Sequence, residues 1–486
     1  MSTLEIQKSA YTDQIRLQGN TFFKSGLYEE AINSYTEGIE AMQRGTNLDP
    51  CLFNNRATAY LKLGKFEDCI KDSEEYIRVM PNCWKGYSRK ALALNGLGQR
   101  LSALCSAAIA YHHDGKCCRR YEAFKSAFGD LDGKWKICES SEALCKDVLY
   151  SNNSKSQPKV ILLTNREYWL DYSPERHHID TLLHLLSPIG NTTIAAVGNE
   201  AKVTIYSGNI NLGEDCFFQN ITLSTESTSV ASNGNVKFER CFFWRNGSVA
   251  PLVLVNGTAS FLQCTFKGSG GCGIVVEGPN ASATMIECHV TGNGTMGCYA
   301  SGVRVYNEGR VAIHKCHIHG NTRGIWVDEE QAGVLAKEAI ITDSEIYDNK
   351  YEGILVAGLP LQFIVSLPVE IRGNKIFHNG TFGVRVFLNH NDVTLENNVI
   401  FENFYWGVYI HSNSGGLYKG NEICNNKMGG IMAGLQSPGK TPCVIESNCI
   451  HDNCGPAFHS GLRNFELHSF PTKLRNFLLR KDAEYL

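Results

Sequence analysis

The chain has 486 residues, more than one core usually fills, so two domains are the default expectation. Apolar residues make up 43% and charged residues 20%, which excludes a disordered chain, and a formal net charge of −3 gives no global field toward nucleic acid or a membrane surface. The start, Met1-Ser2-Thr3-Leu4-Glu5, is polar, and no apolar run approaches the ~18 residues of a membrane span, so a cytoplasmic protein is expected, its 19 cysteines mostly buried thiols.

The N-terminal third repeats itself with a period of about 34 residues. Gly19, Phe22, Gly26, Ala31 and Tyr35 set the pattern, from a start near Thr12. Ala57, Tyr60, Gly64, Cys69 and Pro81 restate it from Pro50, and Ala91, Leu94, Gly98, Ala103 and Ala110 from Trp84. Small residues let paired helices approach, and aromatic residues fill the groove between them. The pattern predicts three helix pairs and a capping helix at about Cys117 to Phe128, an all-α superhelix over residues 8–130.

The inner helices of such an array line a concave groove. Arg16 and Asn20 are four apart and share one face, as do Lys85 and Arg89, while Asn55 lies on the helix between. Three cations and two amides suit the carboxylates of one extended acidic peptide end. Taken singly, each is better explained as part of a solvated helix face.

Arg16-x-x-x-Asn20, Asn55 and Lys85-x-x-x-Arg89 resemble the dicarboxylate clamp of tetratricopeptide-repeat co-chaperones of heat-shock proteins 70 and 90. The resemblance covers roughly residues 8 to 130 and implies binding of a Glu-Glu-Val-Asp C-terminus. Arg16 departs from the family, which usually has Lys there, and a planar fork is not equivalent to a point charge.

Residues 131–158 read as a linker, ending in the polar run Ser151-Asn152-Asn153-Ser154-Lys155-Ser156-Gln157-Pro158. Short β-like runs follow at Val160–Leu163 and Thr193–Val197. A helical stretch near His178 to Leu186 is expected to cover the open end of what comes next.

From about Cys216 a second repeat takes over. Its anchors are Cys241, Cys264, Cys288, Cys316, Ser344, Asn374, Asn398, Asn421 and Asn448, with Cys216 as a looser first member. After each comes a Gly and an alternating strand, as in Gly302-Val303-Arg304-Val305 and Gly324-Ile325-Trp326-Val327. This predicts a right-handed parallel β-helix of about ten coils over residues 159–455, like residues stacked ~4.8 Å apart. Inward Cys and Asn form ladders, and Gly is expected to supply the left-handed bends. Residues 456–486 read as a C-terminal capping tail. The fold class is thus multidomain α plus β.

Catalysis by a β-helix needs paired carboxylates in one cleft. The candidates are Asp328, Glu329, Glu330 and Glu277; the first three end a strand and are expected to face solvent. No catalytic residue, cofactor or metal site is assigned: His317 and His319 project outward without further ligands, and Cys117-Cys118 lacks zinc spacing. The outward series Val275, Arg304, Trp326, Leu355, Arg385, Tyr409 and Met432 is expected to form an exposed stripe. Arg304, Trp326, Arg385 and Tyr409 in it suit either recognition or plain cross-strand packing.

Coils such as Asn374-Lys375-Ile376-Phe377-His378-Asn379 resemble the β-helices of Shc-binding proteins and of certain F-box substrate receptors, although no F-box is visible. That resemblance implies protein binding without naming a partner. The expected function is a non-enzymatic adaptor gripping a heat-shock protein tail with its helices and an unknown protein with its β-helix. The alternatives are a carbohydrate-active lyase or hydrolase and a signalling or cytoskeletal scaffold.

Overall fold

The computed structural model describes residues 3–43, 49–120, 126–128, 135–141, 143–144, 160–164, 167–170, 193–197, 201–205, 210–212, 216–225, 230–245, 247–296, 300–330, 334–336, 338–357, 368–387, 393–412, 414–434 and 443–460. The chain divides into two compact units.

The first unit holds α1 (Thr3–Lys24), α2 (Tyr28–Gln43), α3 (Pro50–Lys62), α4 (Phe66–Val79), α5 (Trp84–Gly96) and α6 (Arg100–Arg120). Successive helices pack on each other, and α3 also touches α1 and α5, so the odd-numbered helices form one layer. Their close approach is written in glycine and alanine. A Cβ on Gly19 would lie 2.5 Å from the Tyr35 ring, and one on Gly96 2.5 Å from Phe66. Ala31, Ala57, Ala91, Ala103 and Ala110 are fully buried. Three inter-helix turns use left-handed Gly26, Gly64 and Gly98. Asp49 caps α3 by accepting the Cys51 N–H at 2.9 Å, with Pro50 in the first turn.

Cys117–Arg120 do not begin a separate capping helix; they complete α6. Gly115 costs a helix only about 1 kcal/mol, and no proline follows to stop it. Residues 126–128 are again helical, while 121–125 lie outside the described residues. The first unit also contains parallel strands at Trp135–Cys138, Val160–Leu163 and Thr193–Ala196, the latter two packed on α6. Compactness thus groups these strands with the helices, although the sequence reading starts the second domain at residue 159 and treats Trp135 as linker. The run Ser151–Pro158, the His178–Leu186 stretch and the tail from residue 461 lie outside the described residues.

The second unit is a parallel β-helix with three sheets. One coil runs through Glu338–Thr342 of the first sheet, Glu345–Tyr347 of the second and Ile354–Ala357 of the third. Each strand pairs in parallel with its equivalents on the neighbouring coils. In the first sheet inward residues stack as Phe218, Phe238 and Phe261, with centroids 5.1 Å apart, then give way to Met285, Ile313, Ile341 and Ile371, and the second sheet carries the column Ile346, Ile376, Ile400 and Ile423.

Two bends per coil share one construction: a left-handed residue, then a buried ladder residue. The first ladder runs Ile221, Cys241, Cys264, Cys288, Cys316, Ser344, Asn374, Asn398, Asn421, Asn448. Cys216 is not its first member. It opens a first-sheet strand opposite Val236, and Ile221 takes the place beside Cys241. Cys264 Sγ reaches the carbonyls of Phe238 and Leu262 at 3.5 and 3.4 Å. Asn398 Nδ2 donates to Ile371 O at 2.8 Å and to Asn421 Oδ1 at 2.9 Å. The second ladder, Asn293, Asn321, Asn349, Asn379, Asn403, Asn426, Asn453, is bonded the same way.

Glycine does not supply most of the left-handed bends. Arg240, Gln263, Glu287, Lys315, Asp343 and Asn397 hold φ between 50 and 55° before the first ladder. The glycines opening the third-sheet strands serve close approach instead. A Cβ on Gly353 would lie 2.7 Å from Gly383 O and 2.8 Å from Asn379 Nδ2.

Candidate functional site

In the first unit the five expected clamp residues lie on α1, α3 and α5. Asn55 Nδ2 donates to Asn20 Oδ1 at 3.0 Å, and Tyr35 Oη donates to the same oxygen at 2.8 Å. Asn55 Oδ1 in turn accepts from Asn54 Nδ2 at 3.2 Å. Both amide oxygens are therefore committed within the protein, which leaves the Asn20 amide and the second Asn55 N–H as donors outside these bonds, the polarity a carboxylate requires.

Arg89 is tied to α3 by Nε donating to Thr58 Oγ1 at 3.0 Å and to its own helix by Nη1 donating to Lys85 O at 3.2 Å. Its guanidinium lies 5.9 Å from the Trp84 ring centre. Lys85 is exposed and has no ion-pair partner among the described residues. Cys51 lies one turn before Asn55 on α3. Burial and then Asp49 raise its thiol above the ordinary value, while the Arg16 and Lys85 charges oppose that rise.

Arg16 differs from the others because it already holds two carboxylates. Its Nη2 lies 2.6 Å from Asp13 Oδ1 and its Nε 3.1 Å from Asp49 Oδ2. Neither acid was singled out from the sequence, although Asp13-x-x-Arg16 has helical i,i+3 spacing and Asp49-Pro50 is a helix-start signal. Tyr35 stood out only as a repeat position and Thr58 not at all, since their bonds to Asn20 and Arg89 are made between helices.

In the second unit the register places Val275, Arg304, Trp326, Leu355, Arg385, Tyr409 and Met432 in one column of the third sheet. The column is not uniformly exposed: Val275, Trp326 and Leu355 are buried. Trp326 is sandwiched, with Arg304 and Arg323 at 4.5 and 4.8 Å from its ring centre. Arg385 sits 5.7 Å from the Tyr409 ring and pairs with Glu352 at 3.1 Å. A hollow of about 400 Å³ adjoins Arg304, lined also by Leu254, Val275, Glu277 and Tyr306.

Asp328, Glu277 and Glu352 of this face are engaged in structure, and the side chains of Glu329 and Glu330 lie outside the described residues. Asp328 is buried and paired with Arg304, not solvent-facing as its place in an acidic run suggested. Its neighbours enter a small antiparallel pairing, Glu329–Glu330 with Val334–Leu335. Glu277 accepts from Tyr306 Oη at 2.9 Å, and Glu352 binds Arg323 at 2.9 Å. His317 stacks on His289 at 4.8 Å and His319 on Tyr347 at 4.7 Å.

Comparison with known proteins separates the two halves. The family described as "Right handed beta helix region" matches residues 189–302, 228–364 and 301–468. The helical half is similar to Hsp70-Hsp90 organizing protein 2 of Arabidopsis thaliana, 42% identical over 78 residues, 16% of this chain and 13% of that protein. It is also 42% identical over 92 residues to the heat shock protein sti1 homolog of Schizosaccharomyces pombe, 18% of this chain and 15% of that one. The chain therefore spans about one-seventh of the length of these relatives. Among solved structures, the mannuronan C-5 epimerase A-module of Azotobacter vinelandii aligns at 15% identity and a TM-score of 0.45, over 71% of this chain and 96% of that one. Among the described residues no helix is long and apolar enough to cross a membrane.

Proposed function

The chain belongs to the right-handed β-helix family, and from that premise, with a unit similar to heat-shock organizing proteins ahead of it, we propose a non-enzymatic cytoplasmic adaptor. Its helical unit grips the acidic C-terminus of heat-shock protein 70 or 90, of the Glu-Glu-Val-Asp type. Lys85 and Arg89 neutralise the carboxylates, Asn20 and Asn55 donate to the terminal carboxylate and the backbone, and Arg16 closes the clamp. The β-helix presents a second protein, for which Arg304, Trp326, Arg385 and Tyr409 form the contact column.

The observation that carries this reading is the Asn55–Asn20 bond between α3 and α1, which commits the Asn20 oxygen inside the protein and leaves amide donors on the layer of helices that also carries Arg16, Lys85 and Arg89. The engaged state of Asp328, Glu277 and Glu352 supports a binding role for the β-helix over hydrolysis, which needs one acid free to protonate. Titration of the full chain with a fluorescent peptide ending in Glu-Glu-Val-Asp tests the clamp. Micromolar binding is expected, at least tenfold weaker for the C-terminally amidated peptide and for Lys85→Ala/Arg89→Ala. Equal affinity in all three measurements removes the reading.

A further inference from the structure

Near the last described coils of the second sheet, three side chains of different ligand chemistry meet. Glu422 and Cys424 project from one strand and His451 from the next, in a register that sets Cys424 beside His451. One ligand atom from each of the three lies within 4.8 Å of the others. His451 Nε2 is 3.4 Å from Glu422 Oε1, and its Nδ1 is 2.7 Å from Asp452 Oδ2. Asp452 thus accepts the Nδ1–H, which fixes the tautomer and aims the Nε2 lone pair at Glu422 and Cys424, the usual outer partner of a metal-bound imidazole.

The same columns are self-satisfied on earlier coils. Tyr347, Phe377 and Phe401 form a continuous ring stack at 4.9 and 4.8 Å, and Lys375 pairs with Glu345 at 3.0 Å. The ring stack stops at Phe401, and the next two rungs carry a thiol and an imidazole, Cys424 and His451. Cys449 alternates with buried Ile450, so a further sulfur donor shares the outward face with His451.

We propose that Glu422, Cys424 and His451 bind one zinc-class divalent cation that staples the last described coil to its neighbour, with Asp452 as the positioning residue. Sulfur, nitrogen and oxygen together select zinc over magnesium or calcium. A tetrahedral zinc centre sets its ligand atoms roughly 3.3 to 3.8 Å apart, given metal–ligand bonds of about 2.0 to 2.3 Å. The Glu422–His451 separation already meets that, and the thiol needs only a small side-chain shift. On binding, Cys424 releases its S–H proton to solvent and the thiolate coordinates. The residues escape a sequence search because Cys424 and His451 are far apart in the chain and adjacent only through the coil register.

Full-length protein, reduced and stripped with chelator, is titrated with Co²⁺ as the spectroscopic probe and then with Zn²⁺. One Co²⁺ per chain with a thiolate charge-transfer band, displaced by Zn²⁺, is expected. The band is lost in Cys424→Ser, affinity falls at least a hundredfold in His451→Gln and Glu422→Gln, and about tenfold in Asp452→Asn. Glu422 is exposed, so Glu422→Gln leaves the fold intact and its far-ultraviolet dichroism unchanged. A Co²⁺ band retained in Cys424→Ser, or wild-type affinity in Glu422→Gln, assigns the ion to other thiols and overturns the proposal.

Discussion

Asp49 works in two directions: one oxygen caps α3 through the Cys51 N–H, and the other pairs with Arg16. With Asp13 on its other side, Arg16 is already partly neutralised. In the proposed clamp a ligand carboxylate must therefore displace an internal one, and removing Asp13 lowers that barrier. Asp13→Asn is expected to tighten the acidic peptide two- to fivefold, since an exposed pair of this kind contributes about 0.2 to 1 kcal/mol; peptide anisotropy at low salt measures it. Asn55→Ala has the opposite sign. It removes an amide donor and leaves the Asn20 oxygen to Tyr35 alone, and at least tenfold weaker binding is expected in the same assay. Helix spacing and the repeat period place Arg16, Asn20, Asn55, Lys85 and Arg89 on one layer of helices, and that much was legible. The bonds of Tyr35 to Asn20 and of Thr58 to Arg89 were not, because each crosses to a neighbouring helix that no local pattern identifies.

The two ladders of the β-helix differ in what a lost rung costs. Asn398→Ala orphans Ile371 O and the Asn374 donors inside a dry stack, so a loss of roughly 3 kcal/mol is expected by denaturant titration. Cys264→Ala removes one small thiol and weak S–H bonds, for roughly 1 to 2 kcal/mol. The outward histidines add a pH dependence. Burial, reinforced by neighbouring histidines, lowers His289 and His319 below their ordinary 6.5. The neutral form is favoured in the folded chain, so their contribution is fully present above pH 6.5 and is lost as pH falls through the lowered values. The thermal midpoint is expected to drop below pH 6.5, and less steeply in His319→Tyr, which extends the Tyr347 stack. The ladder itself was readable from Cys241 onward because buried Cys and Asn recur. The left-handed positions were not, since Arg240, Gln263, Glu287 and Lys315 have no residue type in common. There the bend is imposed by the stack, which outweighs about 1 kcal/mol of local strain per residue.

Across the whole solenoid each coil touches only its neighbours, so protection is set by position in the stack. Hydrogen exchange followed by mass spectrometry is expected to show the slowest amides around Ile341, Ile346 and Ile354, with faster exchange at Ile450 and Phe458 near the last described rungs. Uniform protection from end to end contradicts this nearest-neighbour picture.

The distance between the two ladders has a further consequence. From Cys264 and Ser269 through Asn448 and Asn453, eight successive coils keep the same five-residue step. The third corner keeps no such rule: Thr258 comes three residues after Val255, whereas Val369 comes twelve after Ala357. A foreign epitope spliced in after Ala357 would be carried like cargo on a rail, while a single residue added between Ser344 and Asn349 would derail every rung beyond it.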